Sequence, residues 1–232
     1  LALDRSLVAG LPAFEGLGSG DVDAILASAR SSRFAKHEEV FSQDQEAEQF
    51  FLLLSGHIRV VRTTPDGDQI IARYINEGEL FGIAVAMGRT TYPASAVAAV
   101  DCVVLAWPNA LWPDLQSRFP AFGAHAYQTI GARLQETQSR VVDMSTRQVE
   151  QRIAGAVMRL IQQSGRKTAE GVEIDFPVTR QDIAEMTGST LHTVSRLMSA
   201  WEDQGIVRSG RQKVVVTDPH ALMLVAENRH KK

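Results

Sequence analysis

Cysteine is nearly absent from this sequence of 232 residues: Cys102 stands alone. A single thiol excludes an intrachain disulfide. It also excludes an iron–sulfur cluster held by cysteines of one subunit, which needs several thiolates. No apolar run approaches the length of a membrane span, and no signal-peptide pattern opens the chain, so no membrane partner and a cytoplasmic residence are expected. Metal-ligand clusters, phosphate loops and nucleophile elbows are missing too. Asp101 and Cys102 are adjacent but have no placed His partner, so no enzyme is expected. Hydrophobic residues still make up 44%, ample for a folded core. The net charge of −3 is uneven, with −6 over residues 1–145 and +3 over residues 146–232. The acidic part does not suit a DNA surface, and the basic part does.

The most informative stretch is residues 178–217, VTRQDIAEMTGSTLHTVSRLMSAWEDQGIVRSGRQKVVVT. Thr179 can cap a first helix, with Asp182 favourable in its first turn and Ile183, Ala184 and Thr187 facing inward. Gly188 suits a left-handed helix terminus. Thr190 caps a second helix, on which Leu191, Val194, Leu197, Met198 and Trp201 fall on one apolar face. The opposite face carries His192, Thr193, Ser195, Arg196 and Ser199, short hydrogen-bonding side chains free of acid over the first two turns. Two β-rich runs bounded by glycine follow. Helix, tight turn, helix and wing make the plan of a winged helix-turn-helix.

Upstream, Val22, Ile25, Leu26 and Ala29 predict a short amphipathic helix. From Glu39 onward, strand-length runs such as Phe50–Leu54, Ile58–Val61, Ile70–Ile75 and Val100–Leu105 alternate with turn signals at Ser55-Gly56, Pro65-Asp66-Gly67 and Glu77-Gly78. This predicts a jelly-roll-like sandwich whose glycines serve turn geometry. Pro120 can open a helix, on which Gly123, Tyr127, Ile130, Leu134, Thr137, Val141 and Met144 recur at spacings of four and three. That is a coiled-coil seam and predicts a homodimer. Val149, Ile153, Ala156, Val157, Leu160 and Ile161 predict a further amphipathic helix under the DNA reader.

The run Val178 to Ala184, with Gly188 and Thr193-Val194-Ser195-Arg196, resembles the Crp/Fnr family of bacterial transcription regulators, and the resemblance extends over nearly the whole chain. It implies an α+β fold in three parts: a β-roll sensor of the cyclic-nucleotide-binding-domain fold (1–118), a dimerisation helix (119–145) and a winged helix-turn-helix (146–232). In cyclic-nucleotide-binding relatives a Phe-Gly-Glu segment supplies a ribose-binding Glu, and an Arg followed by Ser or Thr binds the phosphate. Here Phe81-Gly82-Ile83 lacks the carboxylate. In Tyr92-Pro93-Ala94-Ser95, Pro93 and Ala94 replace the arginine and the hydroxyl, and Arg89 is wrongly spaced to substitute. A bare phosphate there would lose on the order of several kcal/mol, so cyclic AMP is not expected. The cysteines of the iron–sulfur branch are absent as well.

Among the remaining branches the chain most resembles the nitric-oxide and denitrification regulators of the Dnr/NnrR type. That resemblance leaves haem open as a cofactor, with His37, His57, His125, Cys102 and Tyr92 as candidate axial ligands. Thr137 and Gln138 lie where family members place effector-facing residues, so Phe81, Gly82, Ile83, Arg89, Tyr92, Thr137 and Gln138 form the expected effector pocket.

For DNA, Arg196 can donate twice to guanine O6 and N7, worth ~1–3 kcal/mol of discrimination. Ser195 and His192 are the other expected base contacts; His192 replaces the Glu of the iron–sulfur relatives, so base preference there should differ. Thr179, Arg180, Gln181, Thr190, Thr193, Arg211 and Lys213 are expected at phosphates. Twofold symmetry predicts an inverted-repeat operator. Activation through RNA polymerase is the family's commoner mode. The alternative is a constitutive DNA-binding regulator with an idle roll.

Overall fold

A computed structural model of the chain describes residues 4–8 and 10–228, so residues 1–3 and 229–232, at the outer ends of the expected domains, lie outside it. The chain divides into two compact units. The first comprises the residues up to Thr63 and those from Arg73 to Glu136. The second comprises Thr64–Ala72 and everything from Thr137 onward. The expected α+β class holds. Among the described residues no helix is long and apolar enough to cross a membrane.

The first unit holds α1 (Ser19–Ala27), β1 (Arg30–Phe34), β2 (Glu39–Phe41), β3 (Gln49–Ser55), β4 (Ile58–Thr63), β5 (Gln69–Ile75), β6 (Leu80–Phe81), β7 (Ser95–Ala98), β8 (Cys102–Pro108), α2 (Trp112–Arg118) and the first part of α3 (Pro120–Thr146). Strand β5 and helix α3 run across the division. Two four-stranded sheets form, ordered β1-β8-β3-β6 and β2-β7-β4-β5. Strand period explains how both faces of the first sheet are covered. On β3, Phe51 and Leu53 join Phe41, Ile58, Phe81, Ala96 and Val104 in the core between the sheets. The alternate residues Phe50 and Leu52 join Ile25, Trp107, Trp112, Leu115 and Phe122 under the helices. Phe50 stacks on Trp107 at 5.3 Å between centroids, and the Trp107 Nε1–H donates to the carbonyl of Ile25 at 2.9 Å. Because both faces are apolar, β3 reads as an unbroken hydrophobic run.

The turn from β3 to β4 depends on Gly56, whose φ is +99°. A Cβ there would stand 2.6 Å from the carbonyl oxygen of Asp101 and 2.7 Å from the Cys102 sulfur. Backbone strain and overpacking then act together. Gly56→Ala is expected to lower stability by about 3 kcal/mol, read as the midpoint of urea unfolding. An unchanged midpoint would contradict this packing.

The second unit continues from α3 into α4 (Val149–Ser164), β9 (Gly165–Thr168), β10 (Gly171–Ile174), α5 (Arg180–Thr187), α6 (Leu191–Asp203), β11 (Val207–Ser209), β12 (Val214–Val216) and α7 (Pro219–Ala226). Helix α4 buries Ile153, Ala156, Val157, Leu160 and Ile161, as its spacing predicts, and packs on α5 and α7, while Val149, expected on the same face, is exposed at the first residue of the helix. The wing strands β11 and β12 belong to an antiparallel sheet ordered β11-β12-β10-β9. The β9–β10 hairpin was not predicted. In GRKTAEGVEI, β9 is polar and mostly exposed, and the only apolar alternation is the short Val172, Ile174 pair on β10, of which Ile174 is buried.

Candidate nucleic-acid interface

Two caps set the helix pair. The Thr179 hydroxyl receives the Asp182 amide at 3.0 Å, while the Asp182 carboxylate receives the Thr179 amide at 2.7 Å. Two backbone donors are thereby satisfied reciprocally at the start of α5. Gly188 closes α5 in the left-handed conformation, φ +60°, and the Thr190 hydroxyl receives the Thr193 amide at 3.1 Å to open α6. Ile183, Ala184 and Thr187 are buried, and so are Val194, Leu197, Met198 and Trp201 on α6. The apolar stripe fixes which face of α6 points outward.

His192 and Arg196 are exposed on that outward face, and Ser195 is half-buried beside them. Arg196 makes no hydrogen bond or ion pair within the described residues, so its guanidinium fork is uncommitted. Leu191 departs from expectation. Its spacing places it on the inward stripe, yet it is 47% exposed at the first residue of α6. The first turn lies beyond the edge of the supporting core, where helical spacing alone says nothing of cover.

The phosphate candidates divide by environment. Thr190 and Gln181 are exposed, Gln181 holding Glu185 at 2.9 Å, and Thr193 is half-buried with its hydroxyl 2.9 Å from that of Thr190. Arg180 is turned into the domain instead. It reaches Glu202 at 3.2 Å and the Ser209 hydroxyl at 2.9 Å. Glu202 also receives the Ser209 amide at 2.7 Å. Arg180 and Glu202 thus tie the first helix, the reading helix and the wing together. Sequence reasoning missed Glu202, whose partners are 7 and 22 residues away. On the wing, Arg211 is exposed, while Lys213 is paired with Glu173 at 2.9 Å.

Helix α3 carries the seam expected between two copies. Tyr127, Leu134, Val141 and Met144 are 46%, 58%, 60% and 61% exposed in the single chain, and Thr137 is exposed too. Ile130 packs partly on the helix-side core, and Gly123 faces Gln116 of α2. The open stripe therefore starts at Tyr127.

Three of the expected effector residues are committed to packing. Phe81 and Tyr92 lie in the inter-sheet core, where Tyr92 stacks 3.8 Å from Phe41 and its hydroxyl donates to the Gln49 carbonyl at 2.7 Å. Burial pushes the Tyr92 phenol up from its ordinary value. Ile83 is buried on the helix side, and Gly82 has no room for a Cβ beside Phe51. Arg89, Thr137 and Gln138 are exposed.

Another cluster joins β5 and α3. Arg73 pairs with Glu79, its Nε also donating to the Tyr74 carbonyl at 3.2 Å, and Arg133 donates to the Leu80 carbonyl. The Nε atom of Arg133 is removed from solvent. Burial, and then the neighbouring charge of Arg73, bring the Arg133 guanidinium down to about 9. Composition and spacing gave no sign of this cluster, because its members are remote in sequence.

The residues do not fit a haem. His57 Nδ1 lies 3.1 Å from the Asn76 side-chain oxygen, and His37 is exposed at a left-handed turn residue. His125 is half-buried on α3, and burial lowers its pKa. The Cys102 thiol donates to the Val100 and His57 carbonyls, and burial pushes its pKa up. Phe41, Phe51, Phe81 and Tyr92 fill the space between the sheets by stacking.

A β-roll followed by a long helix and a winged helix-turn-helix defines the Crp-like class of fold. Residues 31–118 match the cyclic nucleotide-binding domain, and residues 151–225 match the Crp-like helix-turn-helix domain. The chain is 27% identical over 217 residues to the Cyclic AMP receptor protein of Thermus thermophilus, spanning 94% of this chain and 97% of that one. It is 27% identical over 191 residues to the nitrogen fixation regulation protein FixK of Azorhizobium caulinodans, spanning 82% and 76%. The structure of FixK2 from Bradyrhizobium japonicum shares the fold with a TM-score of 0.75 at 21% identity, over 85% of this chain and 96% of that one. The chain is a DNA-binding transcription regulator of the Crp/Fnr family and not an enzyme.

Proposed function

We propose that two copies of the chain pair through the α3 seam and read an inverted repeat, with Arg196, Ser195 and His192 at base edges and RNA polymerase recruited to activate transcription. The observation that carries this reading is Arg196. A side chain able to form five hydrogen bonds is exposed and uncommitted on a helix whose other face is locked in the core. The O6 and N7 edge of a guanine in the major groove can accept from it bidentately once phosphate contacts have set the register of the helix.

A second reading concerns the effector. The packing of the roll gives no support to the haem route to nitric oxide, and Ile83 still stands where a ribose carboxylate is needed. The buried guanidinium of Arg133 stands beside the like charge of Arg73 and the carboxylates of Glu79 and Glu136, and this is where the roll would favour a small anion. Selection of bound DNA from a random pool tests both parts. It is run with the protein alone, with phosphate esters and small dicarboxylates, and with haem plus nitric oxide. We expect an inverted repeat whose enrichment responds to an anion, and we expect Arg133→Gln to abolish that response. A pool without inverted repeats would refute the DNA reading. Binding indifferent to every anion would refute the effector reading and leave a constitutive regulator.

A further inference from the structure

We propose that Asp143 is a positioning residue that fixes the half-site spacing the protein accepts; the inference rests on the DNA reading above. Helices α3 and α4 are separated by Arg147 and Gln148 alone. Asp143 lies in the last turn of α3, about 200° around the helix from Val141 and so off the seam. One oxygen of its carboxylate takes Arg147 Nε at 2.8 Å, and the other takes Arg159 of α4 at 3.5 Å. Only 18% of the Asp143 side chain is exposed. A Cβ on Gly155 of α4 would stand 3.6 Å from Arg159 Nη1 and 3.8 Å from Arg147 Nη1, so both guanidinium groups lie over the bare patch that this glycine leaves. One carboxylate therefore holds two like charges together across the joint.

The joint is coupled to the reading helix. Arg152 of α4 donates to the carbonyl of Arg147 at 3.2 Å and to that of Thr187, the last residue of α5, at 3.4 Å. Arg147 also donates to the carbonyl of Ala226, at the end of α7, at 3.3 Å. The Met144 methyl is 3.6 Å from where a Gly188 Cβ would stand, so the end of the seam meets the turn between α5 and α6. A binding constellation works only within about 10–20° of its productive geometry. A link of two residues does not hold that by itself, because each residue brings two soft dihedrals. The Asp143 bridge supplies the missing constraint. Without it Arg147 and Arg159 repel, the joint opens, and the two reading helices lose their fixed separation.

The test uses the full chain and the half-sites obtained by selection, set at their selected spacing or with one base pair added or removed between them. One base pair turns a half-site by about 35°, beyond the tolerance of a rigid pair of readers. In Asp143→Asn the wild-type preference for one spacing is expected to narrow about tenfold. Arg159→Gln leaves the pair of Asp143 with Arg147 in place and should narrow the preference equally, and the double variant should narrow it no further. Affinity for a duplex with a single half-site should stay that of the wild type. A merely structural role would instead lower affinity at every spacing alike, and at the single half-site too. The proposal is overturned if either variant keeps the wild-type spacing preference, or if the loss is equal at every spacing. Absence of any selected operator would instead strike the DNA reading itself.

Discussion

Leu134→Glu combined with Val141→Glu is expected to make the protein monomeric and to reduce its affinity for the inverted repeat at least about a thousandfold, to the non-specific level. Both side chains are mostly exposed in one chain, at 58% and 60%, and stand seven residues apart on the same face of α3. Burial of each against a partner is worth about 1.5–3 kcal/mol per side chain. Two carboxylates per helix would meet two from the partner, turning that gain into repulsion. The seam residues are exposed in the single chain, so the substitutions leave each monomer's core intact, and far-ultraviolet dichroism should not change. The loss on DNA follows from linkage: without pairing, the second half-site no longer binds at high effective concentration. Sedimentation equilibrium at micromolar protein reads the first effect and fluorescence anisotropy the second. A variant that remains dimeric would show that another surface joins the subunits.

Arg196→Ala is expected to lose ~1–3 kcal/mol of discrimination at one guanine per half-site, and therefore ~2–6 kcal/mol over a symmetric operator. Arg196 has no partner within the described residues to leave stranded, so the folded domain should keep its stability. Binding to non-specific DNA should fall only slightly, by the loss of one charge, and the salt slope should change little. Arg180 behaves oppositely. Its guanidinium holds Glu202 and Ser209, so its replacement disturbs the wing as well as binding. Competition binding against operators altered at each base pair separates these outcomes. An unchanged sequence preference in Arg196→Ala would contradict the role given to it.

The parts of the fold that sequence discloses are those written in local spacing. Thr179 and Asp182, Gly188 and Thr190 mark helix ends within three residues of what they bind, and each end lies where those residues require. The seam of α3 and the inward face of α4 follow from helical period. Long-range choices stay hidden. Whether Tyr92 lines a pocket or caps a packed sheet depends on Gln49, 43 residues away. Whether Arg180 points to a phosphate or into the domain depends on Glu202 and Ser209. The guanidinium cluster at Arg73 and Arg133 joins residues on a strand and a helix that no spacing rule connects. Leu191 fails for a different reason, since its spacing is right for the core and the core simply ends before it.

The central claim is that two reading helices, joined through one seam, enter the same face of the duplex about one helical turn apart. Insertion of five base pairs between the half-sites rotates them to opposite faces without altering either sequence. Anisotropy titration with that duplex is predicted to give an affinity no better than for unrelated DNA. Affinity equal to that of the unmodified operator would mean that the half-sites are read independently, and the account would be wrong.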